Sequence, residues 1–554
     1  MTATNSQKLL LTSVCQPFGQ EHGDGFGASY EGSHQIMWAQ GIFRTRATTT
    51  QWGIDFIAEN LQIPTTTLHY PTMEQFIAEI RKGYDYIGIA FVVATFHKMV
   101  PMVEAIREHA PGTQIILGGY GTAMDKDLTP YADHICQGEG VAFMRRLLGE
   151  PVDRPLRQPA ITQRQSVFSM PVLGQVGYII AGLGCPNGCD FCATSHYYKR
   201  EHIRLLPDGG SILQAIQDLR SRYPDMVDFW INDEDFLLDE KRGREFLAAI
   251  RRSDLPPLSL SIFSSVKALS QFSAAELVEM GIDWIWVGVE GKRAGYDKMR
   301  GRSYRDLFAD LQQHGISVLA SMIIGFDYQT PEIIEAEFEE LMRLRPSMSQ
   351  FLIYGPAHGT PGYKRLVEAG RFRPEIRDDT SKQDGFYPAY THPHMEPEQL
   401  LSIHRDLYRR EFERLGPSIY RVVEDYLNGH VNLRGHRNER IRAKAAKYGQ
   451  TAHESMVLMP GGLPYLNAPV RDWLAGLLER TRRETGPMNW KQRLQAKVVP
   501  VLMQLTRYKL EHGIGQQPES TQRSYRMPRP QVQLGTTMAL ASNFQRWMGL
   551  QGRS

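Results

Sequence analysis

Cysteine is scarce in this chain, with five in 554 residues. Cys15 and Cys136 stand alone, so there is no disulfide framework; an apolar core has to hold the fold, and the usage fits a reducing cytoplasm. Long apolar runs are missing too. Nothing approaches the roughly 20 residues that cross a bilayer, and the first eight residues lead only into a short apolar strand, so no signal peptide is expected. Neither sign of charge is in excess. With 63 Lys and Arg against 61 Asp and Glu, the net charge is +2, which removes the broad basic field that nucleic-acid binding draws on. No internal repeat is visible. The length suits about two to four domains with ample core.

What the chain has is a concentration of the scarce residue. Gly184-Cys-Pro-Asn-Gly-Cys-Asp-Phe-Cys-Ala-Thr-Ser195 brings together Cys185, Cys189 and Cys192. Iron–sulfur clusters normally take four thiolates. Three, with no fourth following, imply a four-iron cluster with one iron open to another ligand. Zinc is the alternative, with His196 as a fourth ligand. The spacing Cys-x-x-x-Cys-x-x-Cys, with Phe191 before the last cysteine, resembles the signature of the radical S-adenosylmethionine (SAM) superfamily. That resemblance implies a 4Fe-4S cluster and SAM as cofactors.

Strand and helix signals alternate through residues 1–150. Strands are expected at Leu9–Ser13, Thr65–His69, Tyr86–Val93 and Gln114–Leu117, with helices at Gln51–Leu61, Met73–Lys82 and Met99–His109. This pattern predicts an α/β fold with a doubly wound parallel sheet, which binds ligands beyond the C-terminal ends of its strands. Residues 151–175, rich in Pro, Gln and Arg, read as a linker. Over 176–395, six strand candidates alternate with helices: Tyr178–Gly182, Val227–Asn232, Leu258–Phe263, Trp284–Glu290, Val318–Gly325 and Gln350–Tyr354. They predict a partial (β/α)6 barrel. Residues 396–554 read as a helical C-terminal domain, including Leu401–Leu415 and Ile419–Leu427. Its tail turns polar and basic from about Gln516, a composition that suits partial disorder.

Further segments carry the resemblance. Val93-Ala-Thr95, Leu117-Gly-Gly-Tyr-Gly-Thr122 and Gln137-Gly-Glu-Gly140 look like the turns of the cobalamin-binding domain fused to many radical SAM enzymes. The resemblance implies cobalamin contacts at Thr95, Gly118, Gly119, Thr122, Gly138 and Glu139. The Asp-x-His-x-x-Gly motif that gives other cobalamin proteins a lower cobalt ligand is absent, and His97 lies near the right loop but outside that motif. Asn232-Asp-Glu-Asp-Phe236, the Gly-x-Glu strand ending at Glu290, Ser321-Met-Ile-Ile-Gly-Phe-Asp327 and the Pro-x-x-Gly-Thr-Pro turn within 354–362 resemble the superfamily's SAM-binding strand ends. They imply SAM contacts at Phe191, Asp233, Glu234, Ser264, Glu290, Ser321, Gly325 and Tyr354.

The resemblance covers about residues 8–395 and implies an enzyme that cleaves SAM reductively and functionalises an unactivated carbon, by cobalamin-dependent methyl transfer. Alternatives are cobalamin-independent radical oxidation, cyclisation or rearrangement, and, in another class, a zinc-stabilised binding protein. The expected partners are a small-molecule substrate, hydrophobic in character, and an electron donor such as flavodoxin or ferredoxin. No nucleic acid is expected, and peripheral membrane contact stays open. Catalytic residues are not identified. Thr391-His-Pro-His394 is a candidate metal or acid/base pair, and Trp230, Trp284 and Trp286 are expected in the core.

Overall fold

A computed structural model of the protein describes residues 7–18, 35–47 and 50–526; residues 1–6 and the part of the polar tail from 527 lie outside the described residues. Within 1–150, β2 (Arg46–Ala47) leaves for a second sheet. β1 (Leu9–Ser13), β3 (Thr65–His69), β4 (Tyr86–Ala90), β5 (Gln114–Gly118) and β6 (His134–Ile135) line up in parallel in the order β3-β1-β4-β5-β6. The period of two along the strands splits the apolar residues between two faces. Leu10, Ile87, Ile89 and Leu117 pack with helices Met73–Ile80 and Phe96–His109. Leu9, Leu11 and Ile116 pack with residues of Trp52–Glu59 and Gly140–Leu147. Both faces are thus covered, and the strand order reverses at β1, which opens a crevice at the C-terminal ends of β1 and β4.

The second sheet holds β7 (Thr162–Val167) and β8 (Met170–Ile180). A short antiparallel pair, β9 (Gly182–Leu183) with β10 (Ile203–Arg204), stands beside it. The sheet continues with β11 (Asp228–Asn232), β12 (Ser259–Phe263), β13 (Ile282–Gly288), β14 (Ser317–Ile324) and β15 (Met348–Ile353). β8 and β11 to β15 are all parallel and curl into a partial barrel, with β7 and β2 antiparallel along one edge. Residues 162–175, read from sequence as linker, therefore belong to this sheet. Their polar side chains are those of a hairpin with one face in water; only 151–161 run without regular structure. Phe229, Ile231, Leu260, Ile262, Ile285 and Val287 face outward onto the helices and form the largest core. Trp230, Phe263, Trp284 and Trp286 take the opposite parity and pack on one another with ring centroids 5.0–6.2 Å apart. These four line the barrel interior and stay half-buried.

Helices Pro397–Leu415, Ser418–Leu433 and Glu439–Ser455 pack on the barrel through buried polar links. Arg421 pairs with Glu411, which accepts from the Ser349 hydroxyl; Lys444 pairs with Asp283 and donates to the Leu258 carbonyl; Asp425 accepts from Ser317 and Ser347. Each link joins a helix to the N-terminal end or flank of β12 to β15, leaving the other end of the barrel for chemistry.

The chain then returns to its beginning. After the Trp490–Glu511 helix, β16 (Thr521–Tyr525) adds antiparallel to the outer edge of β3. Part of the tail expected to lack order is therefore a strand. It is anchored through Asp55, which is fully buried and accepts from Arg523 (3.0 Å), Tyr525 (2.9 Å) and Thr67 (2.8 Å) and meets His69 at 3.2 Å.

Candidate functional site

The cysteine loop leaves β9 at the C-terminal end of the barrel and enters the helix Ala193–Tyr197. Gly184 and Gly188 take φ of +77° and +68°, where a side chain would strain the backbone; a Cβ on Gly184 would also stand 2.3 Å from the Glu201 carbonyl oxygen. The Ser195 hydroxyl donates to the Cys185 carbonyl (2.6 Å) and accepts from the Gly188 amide (3.0 Å), stapling the loop across its width. All three thiols are free. Burial pushes Cys185 up to about 12 and Cys189 up to about 11, and raises Cys192. Without a metal they are neutral thiols, and a metal group would displace their protons.

Three thiolates that hold one zinc must crowd around one point, whereas those of a cluster bind three different irons. Among the described residues, no three His, Cys, Asp or Glu side chains gather around one metal-ion position. The Nε2 of His196 lies 3.1 Å from the Cys189 carbonyl oxygen, engaged with backbone. The donor set, with its turn geometry, fits a cluster better than a single zinc.

A second segment clamps this loop. In the turn 354–362, the Gly362 amide donates to the Asp190 carbonyl (2.9 Å) and the Ala357 amide to the Phe191 carbonyl (3.1 Å). A Cβ on Gly362 would lie 2.7 Å from the Asp190 oxygen. The Asp190 carboxylate accepts from Tyr296 (2.7 Å) and pairs with Arg365. Phe191 sits edge-on to Tyr296 and Tyr354, with centroids 5.3 and 6.4 Å away. The same turn reaches the first domain, where His358 Nδ1 accepts from the Asp125 amide (2.9 Å).

The strand ends are arranged differently from a simple row of SAM ligands. Asp233 is buried and engaged by Arg242 and by His202 (3.1 Å); burial acts upward, yet these two partners hold its carboxyl below its usual range. Its negative charge is already matched. Asp235 accepts from Asn187 (3.0 Å), Ser264 Oγ (3.1 Å) and the Ser265 amide (2.9 Å), so Ser264 ties β12 to the cysteine loop. Ser321 Oγ accepts from the Trp286 indole (2.8 Å) and donates to Gln350. Glu290 lies past the end of β13 at φ +55°, buried and paired with Lys298. The Lys298 ammonium stands 5.7 Å above the Phe191 ring, and its charge acts on Cys189 and Cys192. Gly325 has φ +89° beside Tyr354, whose amide donates to the Ile324 carbonyl (2.7 Å).

Two strand-end groups keep unmatched capacity. Asn232, at the end of β11, has a buried Nδ2 with no hydrogen-bond partner, a costly state that a bound acceptor would relieve. Glu234 is reached by solvent yet walled in by protein, the situation of a cavity-lining group. Burial and the neighbouring Asp233 charge push it up to about 7, and it acts electrostatically on Tyr120, Tyr198 and Cys192.

Tyr120 belongs to the first domain. The Tyr197 hydroxyl, on the helix after Cys192, lies 3.0 Å from Thr122 Oγ1 and 3.2 Å from the carbonyl oxygens of Gly119 and Cys136. The cysteine loop thus docks on the C-terminal edge of the first sheet. Several glycines there serve the domain's own packing: a Cβ on Gly119 or Gly121 would strike Phe91 at 2.6 or 2.3 Å. Gly118 accepts from the Phe91 amide (3.0 Å), Thr95 closes its own turn with Val92, and Glu139 caps the helix Gly140–Leu147. Gly138, at φ +94°, faces open space, which leaves room for a ligand beside the backbone.

His392 and His394 do not form a chelating pair, because His392 is engaged with the Phe326 carbonyl (3.0 Å) and the His394 amide (3.1 Å). Sequence reasoning passed over Asn232, although it begins the carboxylate run. It also missed Asp190, Asp235, Lys298 and Tyr197. Asp190 lies inside the cysteine motif and was legible there; Lys298 sits in a polar stretch with no local signal.

No protein-family model matches the chain. A bacteriochlorophyllide d C-12(1)-methyltransferase of Chlorobaculum tepidum is 23% identical over 356 residues, 59% of this chain and 75% of that one. An uncharacterized methyltransferase of Pyrococcus horikoshii is 22% identical over 331 residues, 51% and 70% of the two chains. The radical SAM methyltransferase TsrM from Kitasatospora setae, solved with cobalamin and a [4Fe-4S] cluster, superposes with a TM-score of 0.52 at 14% identity, over 81% of this chain and all of that one. With the cysteine loop at the mouth of a six-stranded partial barrel, these likenesses show the fold, a partial barrel behind an N-terminal doubly wound domain, in a chain similar in sequence to methyltransferases. Its particular form joins a doubly wound sheet, a partial barrel and a helical C-terminal region in the TsrM-like arrangement.

Proposed function

We propose that the protein is a cobalamin-dependent radical SAM methyltransferase acting on an apolar small molecule. The observation that carries this is the junction of Tyr197 with Thr122 and Gly119, which sets the cysteine loop against the ligand-binding edge of the first sheet. When bound, the cluster supplies the electron that splits SAM, and cobalamin supplies a methyl carrier.

The chain's own residues then have these roles. Cys185, Cys189 and Cys192 hold the cluster. Asn232 would offer its free amide to an acceptor group of SAM, with the Glu234 carboxyl beside it at the same strand end. Phe191 and Tyr354 wall the cluster side, and Gly325 makes room for Leu400 beside Tyr354. Gly138 leaves backbone open toward the corrinoid. Trp230 and Phe263 give the barrel interior an aromatic lining that suits an apolar substrate, backed by Trp284 and Trp286, which pack on Ile36, Met37 and Leu319 of the chain itself. A low-potential flavodoxin or ferredoxin is the expected electron donor, and the cytoplasm the expected compartment, because free thiols need reducing conditions.

Anaerobic reconstitution with iron, sulfide and hydroxocobalamin, followed by gel filtration and metal analysis, tests this. About four irons and one cobalt per chain are expected, with iron lost in Cys185→Ala, Cys189→Ala and Cys192→Ala. Iron without cobalt would favour cobalamin-independent radical chemistry.

A further inference from the structure

The Trp490–Glu511 helix is apolar on two opposite faces. Val499 and Met503 are buried against the core that also holds Phe43, Met459 and Leu474. At 100° per residue, Trp490, Leu494, Val501, Leu505 and Tyr508 fall within an arc of about 60° on the other side. Their exposures are 69%, 50%, 66%, 44% and 52%. A folded chain seldom leaves a continuous stripe of this kind in water without use for it.

The surroundings of the stripe indicate what covers it. The helix carries Lys491, Arg493, Lys497, Arg507 and Lys509 against one acid, Glu511, which pairs with Arg507 at 2.8 Å. On the helical wheel the cations fall on both sides of the stripe, with Lys497 at its border. Trp490 stands at one end and Tyr508 at the other, about 27 Å apart along the axis. Apolar centre, basic flanks and aromatic ends are the pattern of a helix lying in a bilayer interface, with the basic side chains reaching anionic headgroups. No helix among the described residues is long and apolar enough to cross a membrane, so the contact lies on the surface.

We propose that the 490–511 helix docks the enzyme on an anionic lipid surface through Trp490, Leu494, Val501, Leu505 and Tyr508. This does not rest on the cofactor reading, since the helix touches neither cofactor region.

Co-sedimentation of the full reconstituted chain with vesicles tests it, using phosphatidylcholine alone and phosphatidylcholine mixed with phosphatidylglycerol. The protein should pellet about tenfold more with the anionic vesicles, and high salt should release much of it. Leu494→Gln/Val501→Gln/Leu505→Gln should lose that pelleting while keeping its iron content and circular dichroism. Lys491→Glu/Lys497→Glu/Lys509→Glu should lose the preference for phosphatidylglycerol. In the wild type, vesicles should slow hydrogen exchange within 490–511 above all; this arm holds even where a variant fails to fold. Wild-type protein that stays in the supernatant, pelleting unchanged by the Gln substitutions, or protection confined elsewhere would overturn the proposal. So would a concentration-dependent dimer that the Gln variant abolishes without any vesicle binding, which would assign the stripe to a second copy.

Discussion

Asp425 shows how one buried group sets a pH window. Its carboxyl lies beneath the barrel, accepting from Ser317 (2.9 Å) and Ser347, and burial pushes it up to about 8 against the downward pull of the two serines. The folded chain therefore holds this proton over a range where the unfolded chain has lost it. The associated stability is full at low pH and drains as pH rises from about 4 to about 8, at no more than about 1.4 kcal/mol per pH unit. Thermal unfolding of Asp425→Asn against wild type should show the variant gaining relative stability as pH rises from ~4 to ~8, with a constant difference below and above that window. Equal pH profiles would contradict it. At this scale the sequence is readable where chemistry is local. The cysteines announce themselves within eight residues, whereas Asp233 looks like a free acid until the fold brings in Arg242 and His202. Their pairing depends on helix and loop placement that no spacing rule contains.

Among the elements, the turn 354–362 is held from two sides. It is joined to the cysteine loop through backbone bonds at Gly362 and Ala357 and to the first domain through His358. Gly362→Ala should push the turn off Asp190, because its Cβ would meet that carbonyl at 2.7 Å and Pro356 at 3.0 Å. We expect a stability loss of about 1–3 kcal/mol and a lower iron content after reconstitution, read by metal analysis beside a melting curve; wild-type values for both would contradict the clamp. The apolar strands of both sheets were legible because burial on two faces leaves near-continuous apolar runs. β7 and β16 were not, since a strand at a sheet edge open to water reads Thr-Gln-Arg-Gln-Ser-Val or Thr-Gln-Arg-Ser-Tyr, a composition shared with loops. Their strand character comes from neighbours far away in sequence.

Over the whole molecule, the parts are tied where they meet. Tyr197 and His358 bind the first domain to the barrel, buried ion pairs bind the helical region beneath it, and β16 binds the chain's late residues to its first sheet. Arg523→Ala/Tyr525→Phe removes two of the groups that meet Asp55 and leaves that buried charge with Thr67 and His69. The expected cost is about 1–3 kcal/mol, with faster hydrogen exchange in β3 while the barrel amides are unaffected. Uniform protection across both sheets would mean the strand adds nothing.

The β16 closure also has a meaning in time. A ribosome makes Thr521–Tyr525 more than five hundred residues after Leu9–Ser13. At roughly 5–20 residues per second, the first sheet waits on the order of half a minute or more with one edge unpaired. During translation that edge is an open template for wrong pairing, and a nascent-chain chaperone would meet it before β16 does.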